Sequence, residues 1–220
     1  FFFKQKTAYE IYQCDWSSDV CSSDLNGVAI PPTPTVGAVG LIPDYARRAT
    51  PAGLKDGDTL VLIGDTRGEL GSSLYLRELL GREEGAPPPV DLAAEKANGD
   101  FVRGLIRSGE VTTVHDLSDG GLACAAAEMA LASGVGMTLI ATSERNAHPF
   151  LFGEDQGRYL VATRDSDRLI DQAKAAGVHA IMVGQAGGDR FASRELFSLT
   201  LSELRAANEG WLPGYMASAN

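Results

Sequence analysis

The sequence predicts an α+β fold, in which a mixed β-sheet carries helices packed on it. Short apolar runs typical of buried strands recur along the chain, and segments with helical spacing of apolar residues lie between them. The two kinds of segment do not alternate strictly, which favours an α+β arrangement. Hydrophobic residues make up 44% of the 220 residues, enough for a sizeable buried core.

The predicted strands are short and apolar. The clearest is TLVLIG, a continuous apolar run that ends at a glycine-rich loop. The strands are predicted over 59–64, 111–114, 137–141, 159–163 and 180–183. An earlier strand over 36–42 contains glycines where another backbone can approach, and a linker is predicted to follow it.

The predicted helices are separated by glycine and proline. They are expected over 72–80, 92–108 and 120–133, then around Leu169 and Ala173, and finally after Thr200. In the second of them one side is predicted to be buried, and that side consists of Ala94, Ala97, Phe101 and Leu105. Thr200 and Glu203 have the spacing of a capping box at the start of the last helix.

Three regions are predicted along the chain. Residues 1–25 contain no glycine or proline and no sustained period, and they are similar to translated sequencing-adapter read-through. We expect them to be non-native and to lie outside the fold. Residues 26–50 are interpreted as the end of a truncated N-terminal-type domain with a linker. Residues 51–220 are interpreted as a C-terminal-type domain with its tail.

Charge and composition exclude several classes of function. The formal net charge is −10 and no cluster of Lys and Arg is present, so nucleic acid and anionic membrane surfaces would be repelled. No apolar run approaches the length of about 18 residues that a membrane span needs. Outside the first 25 residues the only cysteine is Cys124, expected to be a small core residue. These features predict a cytoplasmic protein.

The stretch VHDLSDGGL combines an acidic turn with two glycines between a strand and a helix. Asp116 and Asp119 can point outward from the strand end. Gly120 and Gly121 let backbone or a ligand come close, and the helix start offers free N–H groups to a phosphate. Because Mg²⁺ prefers one or two carboxylates with phosphate and water, the stretch predicts a Mg²⁺-phosphate site. The alternative is that Ser118 or Asp119 only caps the helix.

A second polar stretch, LFGEDQGRY, places Glu154, Asp155 and Gln156 just before a predicted strand. Its apolar neighbours argue against a plain surface turn, although such a turn stays the alternative. The glycine-rich stretch GDTRGELGS lacks the GK[ST] ending of a Walker loop and is only a weak signal of phosphate binding. For His115, beside the acidic turn, a structural hydrogen bond is expected.

Six stretches carry a family resemblance, and they occur in a fixed order. They are IPPTPTVGAVGLI, GELGSSLYLRELLG, PPPVDLAAEKANGDFVRGLI, VHDLSDGGLACAAAEMAL, FGEDQGRYLV and EGWLPGYM. Together they resemble the final third of the synthetase subunit of the phosphoribosylformylglycinamidine synthase family. The resemblance implies that residues 51–220 have the fold of the aminoimidazole ribonucleotide synthetase C-terminal domain.

The resemblance also implies an activity, cofactors and partners. The family is an ATP-dependent ligase that uses ATP and Mg²⁺ to activate the formamide oxygen of formylglycinamide ribonucleotide, and ammonia then displaces the phosphate. Ammonia would come from a separate glutaminase subunit through a small bridging subunit. The N-terminal domains of the same subunit would complete the enzyme, and small-molecule nucleotides would be its ligands. Neither nucleic acid nor a membrane is an expected partner.

The family's internal symmetry places candidate site residues on this chain. Asp116 matches the Mg²⁺ ligand of an Asp-Leu-Gly-type turn. Glu154, Asp155 and Gln156 match a Glu-Ser-Gln triplet that contacts substrate, with Asp155 in place of the serine. This departure favours an auxiliary nucleotide pocket over a turnover site. The resemblance places the family's catalytic histidine in the first repeat, so no catalytic residue is assigned here and the isolated chain is expected to be inactive.

Two alternatives remain open at this stage. One is another ATP-using enzyme of the same superfamily, such as aminoimidazole ribonucleotide synthetase, selenophosphate synthetase or thiamine monophosphate kinase. The sequence motifs HDLSDGG and GEDQGR and the C-terminal motif EGWLPGYM argue against it. The other is a non-catalytic structural and partner-docking module. A test for ATP turnover separates an enzyme from such a module.

Overall fold

The computed structural model describes residue 37 and residues 39–140, 147–194 and 196–218. The chain divides into two compact units, Phe1–Leu41 and Ile42–Asn220. In the first unit the described residues are exposed and lie outside any helix or strand, so the strand predicted over 36–42 is absent at its described positions. The segment predicted to be adapter-derived, residues 1–25, lies outside the described residues.

A seven-stranded mixed sheet forms the centre of the second unit. Its strands are β1 (Thr59–Ile63), β2 (Thr113–Asp116), β3 (Met137–Leu139), β4 (Tyr159–Thr163), β5 (Ala180–Ala186), β6 (Arg190–Ser193) and β7 (Phe197–Thr200). The order across the sheet is β2-β4-β1-β5-β3-β6-β7. Neighbouring strands are antiparallel except β3 and β6, which are parallel. The predicted mixed sheet is therefore confirmed.

Five α-helices surround this sheet in the described part of the chain. They are α1 (Leu92–Ser108), α2 (Gly121–Ser133), α3 (Ala147–Phe152), α4 (Ser166–Ala175) and α5 (Leu201–Ser218). A 3₁₀ turn (Tyr45–Arg47) and a π-helical turn (Tyr75–Leu79) precede them. Within the described residues, no helix is both long enough and apolar enough to cross a bilayer.

Helices cover both faces of the sheet, because successive residues of a strand point to opposite faces. In β1, Leu60 and Leu62 face the larger core, which α2 and α3 complete with Leu122, Met129 and Leu151. Their neighbours in β1 face the second core, completed by α1 and α4; its members include Val61, Ile63, Val102, Leu105 and Leu169. This arrangement confirms the predicted α+β class with helices packed on the sheet.

The bounds of α1 agree with the predicted helix, and its buried side was predicted only in part. Leu105 is buried and Phe101 packs against the second core, as predicted. Ala94 and Ala97 are exposed, and the buried residues of α1 are Asn98, Val102 and Leu105. The side-chain amide of Asn98 donates a hydrogen bond to the carbonyl of Gly157 at 3.0 Å. This hydrogen bond satisfies the amide, as a buried polar group requires.

Candidate functional site

The two polar stretches meet at one edge of the sheet. β2 and β4 are antiparallel neighbours, and Asp116 at the end of β2 lies opposite Tyr159 at the start of β4. The chain that leaves β2 therefore runs beside the chain that enters β4. A hydrogen bond from the Leu117 N–H to the Arg158 carbonyl, 2.9 Å long, joins the two stretches beyond the strands.

A cleft of about 300 Å³ lies between these stretches and the start of α1. It is lined by Pro88, Glu95, Asp116, Leu117, Ser118, Asp119, Glu154, Gln156, Gly157, Arg158 and Tyr159. Of the six residues predicted for the site, Asp116, Glu154 and Gln156 thus border one space. Asp155, Gly120 and Gly121 are not among the lining residues, and each has a hydrogen-bond partner within the protein.

Asp116 presents an open carboxylate to this cleft. Its side chain is 72% exposed, and the Nδ1 atom of His115 lies 3.6 Å from its carboxylate. The two ring nitrogens of His115 lie 2.7 Å from the Glu128 carboxylate and 2.5 Å from the Asp116 carbonyl. His115 therefore has structural hydrogen bonds, as expected. Among the described residues, no three His, Cys, Asp or Glu side chains form a metal-binding group.

Glu154 joins the two stretches to a third. One oxygen of its carboxylate accepts hydrogen bonds from the backbone N–H groups of Gly120, at 2.8 Å, and Leu74, at 2.9 Å. These N–H groups begin α2 and the π-helical turn, where backbone donors lack helical partners. A carboxylate also interacts favourably with the positive end of a helix. Glu154 therefore ties two helix starts to the segment before β4.

This arrangement corrects two expectations about the acidic turn. The residue that caps α2 is Gly120, and it makes no side-chain capping bond, so the alternative of a Ser118 or Asp119 cap is wrong. The N–H of Gly121 donates to the Ser118 carbonyl at 3.1 Å. Because Glu154 takes the Gly120 N–H, these two donors are not free for a phosphate, contrary to the prediction.

The close approach at Gly121 is made by backbone. Gly121 has φ +63°, and a Cβ there would lie 2.4 Å from the carbonyl oxygen of Gly153. The first turn of α2 therefore packs directly against the segment that carries Glu154. Only glycine combines this left-handed conformation with such a short backbone contact.

Asp155 turns away from the cleft toward the glycine-rich loop. Its side chain is 6% exposed, and its carboxylate accepts hydrogen bonds from the N–H groups of Gly68, at 3.0 Å, and Glu69, at 3.4 Å. The Glu154 N–H donates to the Glu69 carbonyl at 2.9 Å. Asp155 thus holds the glycine-rich loop in place through hydrogen bonds. This is the loop in which the sequence showed only a weak signal of phosphate binding.

Arg158 and Asp155 form a buried pair, here called the clamp between Asp155 and Arg158, which holds the segment before β4. The side chain of Arg158 is fully buried, and its guanidinium lies 3.8 Å from the Asp155 carboxylate. It donates hydrogen bonds to the Asp155 carbonyl (3.1 Å), the Gly153 carbonyl (2.6 Å) and the Thr66 hydroxyl (3.1 Å). Burial lowers the pKa of Arg158, and the nearby Asp155 carboxylate opposes this shift. The pair fixes the chain on both sides of Glu154 and of the exposed Gln156.

The cleft has a negative electrostatic field. Burial raises the pKa of Tyr159, and the carboxylates of Asp116 and Glu95 raise it further. A bare phosphate would be repelled here, whereas a cation would be attracted.

Cys124 is exposed, so its prediction as a core residue is wrong. A Cβ on Gly120 would lie 2.2 Å from its Sγ, which places the thiol over the glycine turn. The alanine-rich pattern of α2 could not show which residue of the first turn faces outward. Cys124, Glu128 and Ala132 are exposed and lie four residues apart, on one side of α2. The seven buried residues of α2 are Gly121, Leu122, Ala123, Ala125, Ala126, Met129 and Ala130.

A second hollow, of about 440 Å³, adjoins the cleft and shares Asp119 and Glu154 with it. Its other lining residues include Arg77 and Arg82, each paired with a neighbouring glutamate. The acidic cleft therefore borders a wall that carries guanidinium groups, which favour contacts with phosphate or carboxylate oxygens.

Sequence reasoning did not single out several residues that line the cleft, among them Pro88, Glu95 and Tyr159. Glu95 lies in the first turn of α1, where an acidic residue has an ordinary stabilising role near the helix start. Tyr159 is the first residue of β4 and was assigned to the strand alone. A sequence signal for either would require knowing that α1 begins next to β2 and β4.

Comparison with known proteins confirms the resemblance seen in the sequence. The chain is 64% identical over 196 residues to the phosphoribosylformylglycinamidine synthase subunit PurL of Caulobacter vibrioides, an alignment covering 89% of this chain and 26% of that protein. With PurL of Methylocella silvestris the identity is 52% over 199 residues, covering 90% and 27%. The chain thus spans about a quarter of the length of these relatives.

Solved structures show a similar fold. T. maritima PurL complexed with FGAR matches with a TM-score of 0.61 and 18% identity, over 73% of this chain and 30% of that one. The structure of PurLQS from Thermotoga maritima matches with a TM-score of 0.56 and 16% identity, over 73% and 28%. At this level of identity the likeness concerns the fold alone.

A protein-family match covers the cleft and six of the seven strands of the sheet. Residues 55–194 match the family described as AIR synthase related protein, C-terminal domain. This range runs from just before β1 to just after β6, and it includes every residue predicted for the site. The chain therefore belongs to the family of AIR synthase related proteins, of which it carries the C-terminal domain.

Proposed function

We propose that this chain is part of the synthetase subunit of a phosphoribosylformylglycinamidine synthase, an ATP-dependent carbon–nitrogen ligase. The whole enzyme would convert formylglycinamide ribonucleotide, ATP and ammonia into formylglycinamidine ribonucleotide during purine biosynthesis in the cytoplasm. The observation that carries this proposal is the 64% identity over 196 residues with PurL of Caulobacter vibrioides. Because the chain spans 26% of that relative, the activity belongs to the longer polypeptide.

Three regions are proposed within the chain. Residues 1–25 are a non-native segment, and residues 26–50 are the end of an N-terminal-type domain with its linker. Residues 51–220 are the C-terminal-type domain of a second repeat. The family match over residues 55–194 supports the last assignment.

We assign the cleft an auxiliary role as a Mg²⁺-nucleotide site. The residues present fit such a ligand: the Asp116 carboxylate is 72% exposed, and Asp119 lines the same cleft. Two carboxylates suffice for Mg²⁺ when phosphate and water supply its other ligands. The bound ion would offset the negative field of the cleft and so let phosphate approach.

The chain's own residues would position the nucleotide rather than transform it. Asp116 would hold the metal, Glu154 and Gln156 would border the nucleotide, and Asp155 with Arg158 would keep that segment in place. Gly120 and Gly121 would contribute by close packing of the α2 start against Gly153. No residue of this chain is proposed to be catalytic.

Ammonia would be supplied by a glutaminase subunit through a small bridging subunit, and the other domains of the same polypeptide would carry the reacting groups. The solved structure named PurLQS from Thermotoga maritima supports an assembly of several subunits in a relative of the same fold. In such an assembly, this chain would contribute to the enzyme without carrying catalytic residues of its own.

A chimera tests the proposal. Residues 26–220 replace the matching part of the Caulobacter vibrioides subunit, and amidine formation is measured with formylglycinamide ribonucleotide, ATP, Mg²⁺ and ammonia. We expect the chimera to form the amidine and the 220-residue chain alone to form none. The reason is that rate acceleration needs the metal, phosphate and substrate groups to be positioned together.

The control is the same chimera with Leu62→Asp, a charge in a fully buried position, which we expect to prevent folding. A chimera that folds and binds ATP but forms no amidine would show that the chain comes from a different enzyme of the superfamily. Clear turnover by the 220-residue chain alone would contradict the assignment of catalysis to the rest of the polypeptide.

A further inference from the structure

The helix α5 has two halves with different surroundings. Its first half packs on the domain: Leu201 and Leu204 contact the larger core, and Arg205 donates a hydrogen bond to the Leu131 carbonyl at 2.9 Å. The capping box predicted for its start is present, because Thr200 and Glu203 exchange hydrogen bonds of 2.7 and 3.1 Å. This half is therefore anchored by ordinary contacts.

The second half carries a row of large apolar side chains exposed to solvent. Trp211, Leu212, Tyr215 and Met216 are 67%, 58%, 58% and 62% exposed. Residues four apart on a helix lie on the same side, so these four form one continuous face, here called the apolar end of α5. The rings of Trp211 and Tyr215 stack with centroids 5.3 Å apart.

This half of α5 lacks the features of a helix that stands in water. After Glu209 the sequence has no charged side chain, although exposed helix surfaces normally carry them. Gly210 and Gly214 are poor helix formers, and Pro213 removes a backbone hydrogen bond inside the helix. Such a segment gains its helical stability from packing rather than from its own propensity.

We propose that the apolar end of α5 docks onto another domain of the same polypeptide. The aligned 196 residues are 26% of a relative with 64% identity, so a polypeptide of that kind has most of its surface outside this chain. Four side chains are far fewer than the roughly 20–30 residues that each side of a stable interface between separate proteins uses. A contact within one polypeptide can be this small, since the two surfaces are already held near each other.

The occupant's chemistry follows from the face itself. The surface of the other domain would be an apolar groove that accepts two stacked aromatic rings and two aliphatic side chains. The apolar end of α5 has no charged side chains around it that would need charged partners on that surface. Aromatic residues contribute most when they are fully covered. This inference depends on the proposal that the chain belongs to a longer polypeptide, but it does not depend on the proposed activity.

Cysteine labelling tests it. Met216→Cys is introduced into two proteins that lack their other cysteines: the 220-residue chain and the chimera described above. The rate of reaction with a maleimide is divided by the rate in denaturant. We expect near-complete access in the 220-residue chain and at least about tenfold slower labelling in the chimera, as for a site that must open locally to react.

Matched positions control for folding and for general access. Leu62→Cys, in a fully buried position, should be protected in both proteins, and Lys174→Cys, exposed on α4, should stay accessible in the 220-residue chain. In a second measurement Met216→Lys should lower the melting temperature of the chimera and leave that of the 220-residue chain unchanged. Activity of the chimera is assayed separately, so loss of activity and loss of docking are distinguishable.

Three outcomes would overturn the proposal. Equal labelling of Met216→Cys in both folded proteins would mean that the face stays open in the longer polypeptide. Protection in the 220-residue chain that increases with its concentration would identify a second copy as the occupant. Protection of the chimera only after a glutaminase subunit is added would identify a separate partner.

Discussion

Two acidic segments border the same cleft, but the protein uses their carboxylates in opposite ways. In the segment before β4, Asp155 is 6% exposed and bound to Gly68, Glu69 and Arg158, and one oxygen of Glu154 accepts two backbone N–H groups. In the turn after β2, Asp116 is 72% exposed. Carboxylates with internal partners hold the fold together, whereas an open carboxylate is available to a ligand.

The difference separates stability from ligand binding at neighbouring positions. Removing a buried, bonded charge leaves its partners unsatisfied in a low-dielectric environment, which is costly. Removing an exposed charge costs little in the absence of ligand. Substitutions in the two segments should therefore differ in size and in their dependence on Mg²⁺-nucleotide.

The largest effect is expected for Arg158→Met. The change leaves the Asp155 carboxylate buried without its cation and removes three hydrogen bonds, two to carbonyls of the segment before β4 and one to Thr66 in the glycine-rich loop. We expect the free energy of unfolding to fall by about 3–5 kcal/mol, measured by urea denaturation. Arg103→Met is the matched control, because Arg103 also pairs with an aspartate, Asp100, but the two side chains are 57% and 40% exposed.

The control should lose less than about 1 kcal/mol, as exposed ion pairs do. If both variants lose equally little, the clamp between Asp155 and Arg158 is not the element that holds this segment. The comparison between the two acidic segments would then have no energetic basis.

The next effect concerns the backbone contact between the segments. Gly121→Ala places a Cβ 2.4 Å from the Gly153 carbonyl oxygen in a left-handed conformation, and we expect a loss of about 3 kcal/mol in urea denaturation. Gly134→Ala, at the other end of α2, has a similar φ of +67° and no atom within 4 Å of its Cβ. It should show the conformational cost alone, about 1 kcal/mol. Equal losses would indicate that the segment before β4 can move away.

A smaller effect is expected for Glu154→Gln. The amide keeps an oxygen acceptor for Gly120 and Leu74 but loses the charge that favours both helix starts. We expect a loss of about 1–2 kcal/mol in the free energy of unfolding of the ligand-free protein. Glu128→Gln is the control, since its side chain is 62% exposed and its partner is a single histidine. If Glu154→Gln lowers the free energy of unfolding no more than the control does, the charge of Glu154 does not stabilise the two helix starts.

The elements that the sequence predicted best are those with strong local signals. The helix over 92–108 has a clear period, Asp91 at its start and Gly109 at its end, and the structure places α1 at the same bounds. Elements with weak local signals were missed. β6 and β7 have four residues each, and α3 has six residues with Pro149 near its start. Their positions depend on pairing and packing with distant parts of the chain.

For the site, the sequence predicted the meeting of two stretches but not the direction of each side chain. Glu154, Asp155 and Gln156 are adjacent, yet they point to helix starts, to the glycine-rich loop and to solvent respectively. Neither charge nor spacing distinguishes these roles. The distinction depends on Arg158 and on the glycine-rich loop, which lie close only after folding.

The smallest effect on the ligand-free protein, and the sharpest test of the open segment, is expected for Asp116→Asn in the chimera. Because the carboxylate is 72% exposed, the free energy of unfolding of the ligand-free protein should change by no more than about 0.5 kcal/mol. A nucleotide that binds only the folded protein stabilises it by about 2.7 kcal/mol at a hundred times its dissociation constant. If Asp116 holds the metal, the variant should lose most of this gain when Mg²⁺-nucleotide is titrated and its melting temperature followed. It should also retain less nucleotide on purification, while its rate of amidine formation changes far less than its nucleotide content.

The control is Asp171→Asn, at an exposed position on α4 outside the residues that line the cleft, and it should behave like the parent protein. Parallel titration curves for Asp116→Asn and the parent would show that Asp116 only supports the turn after β2, and both acidic segments would then be structural.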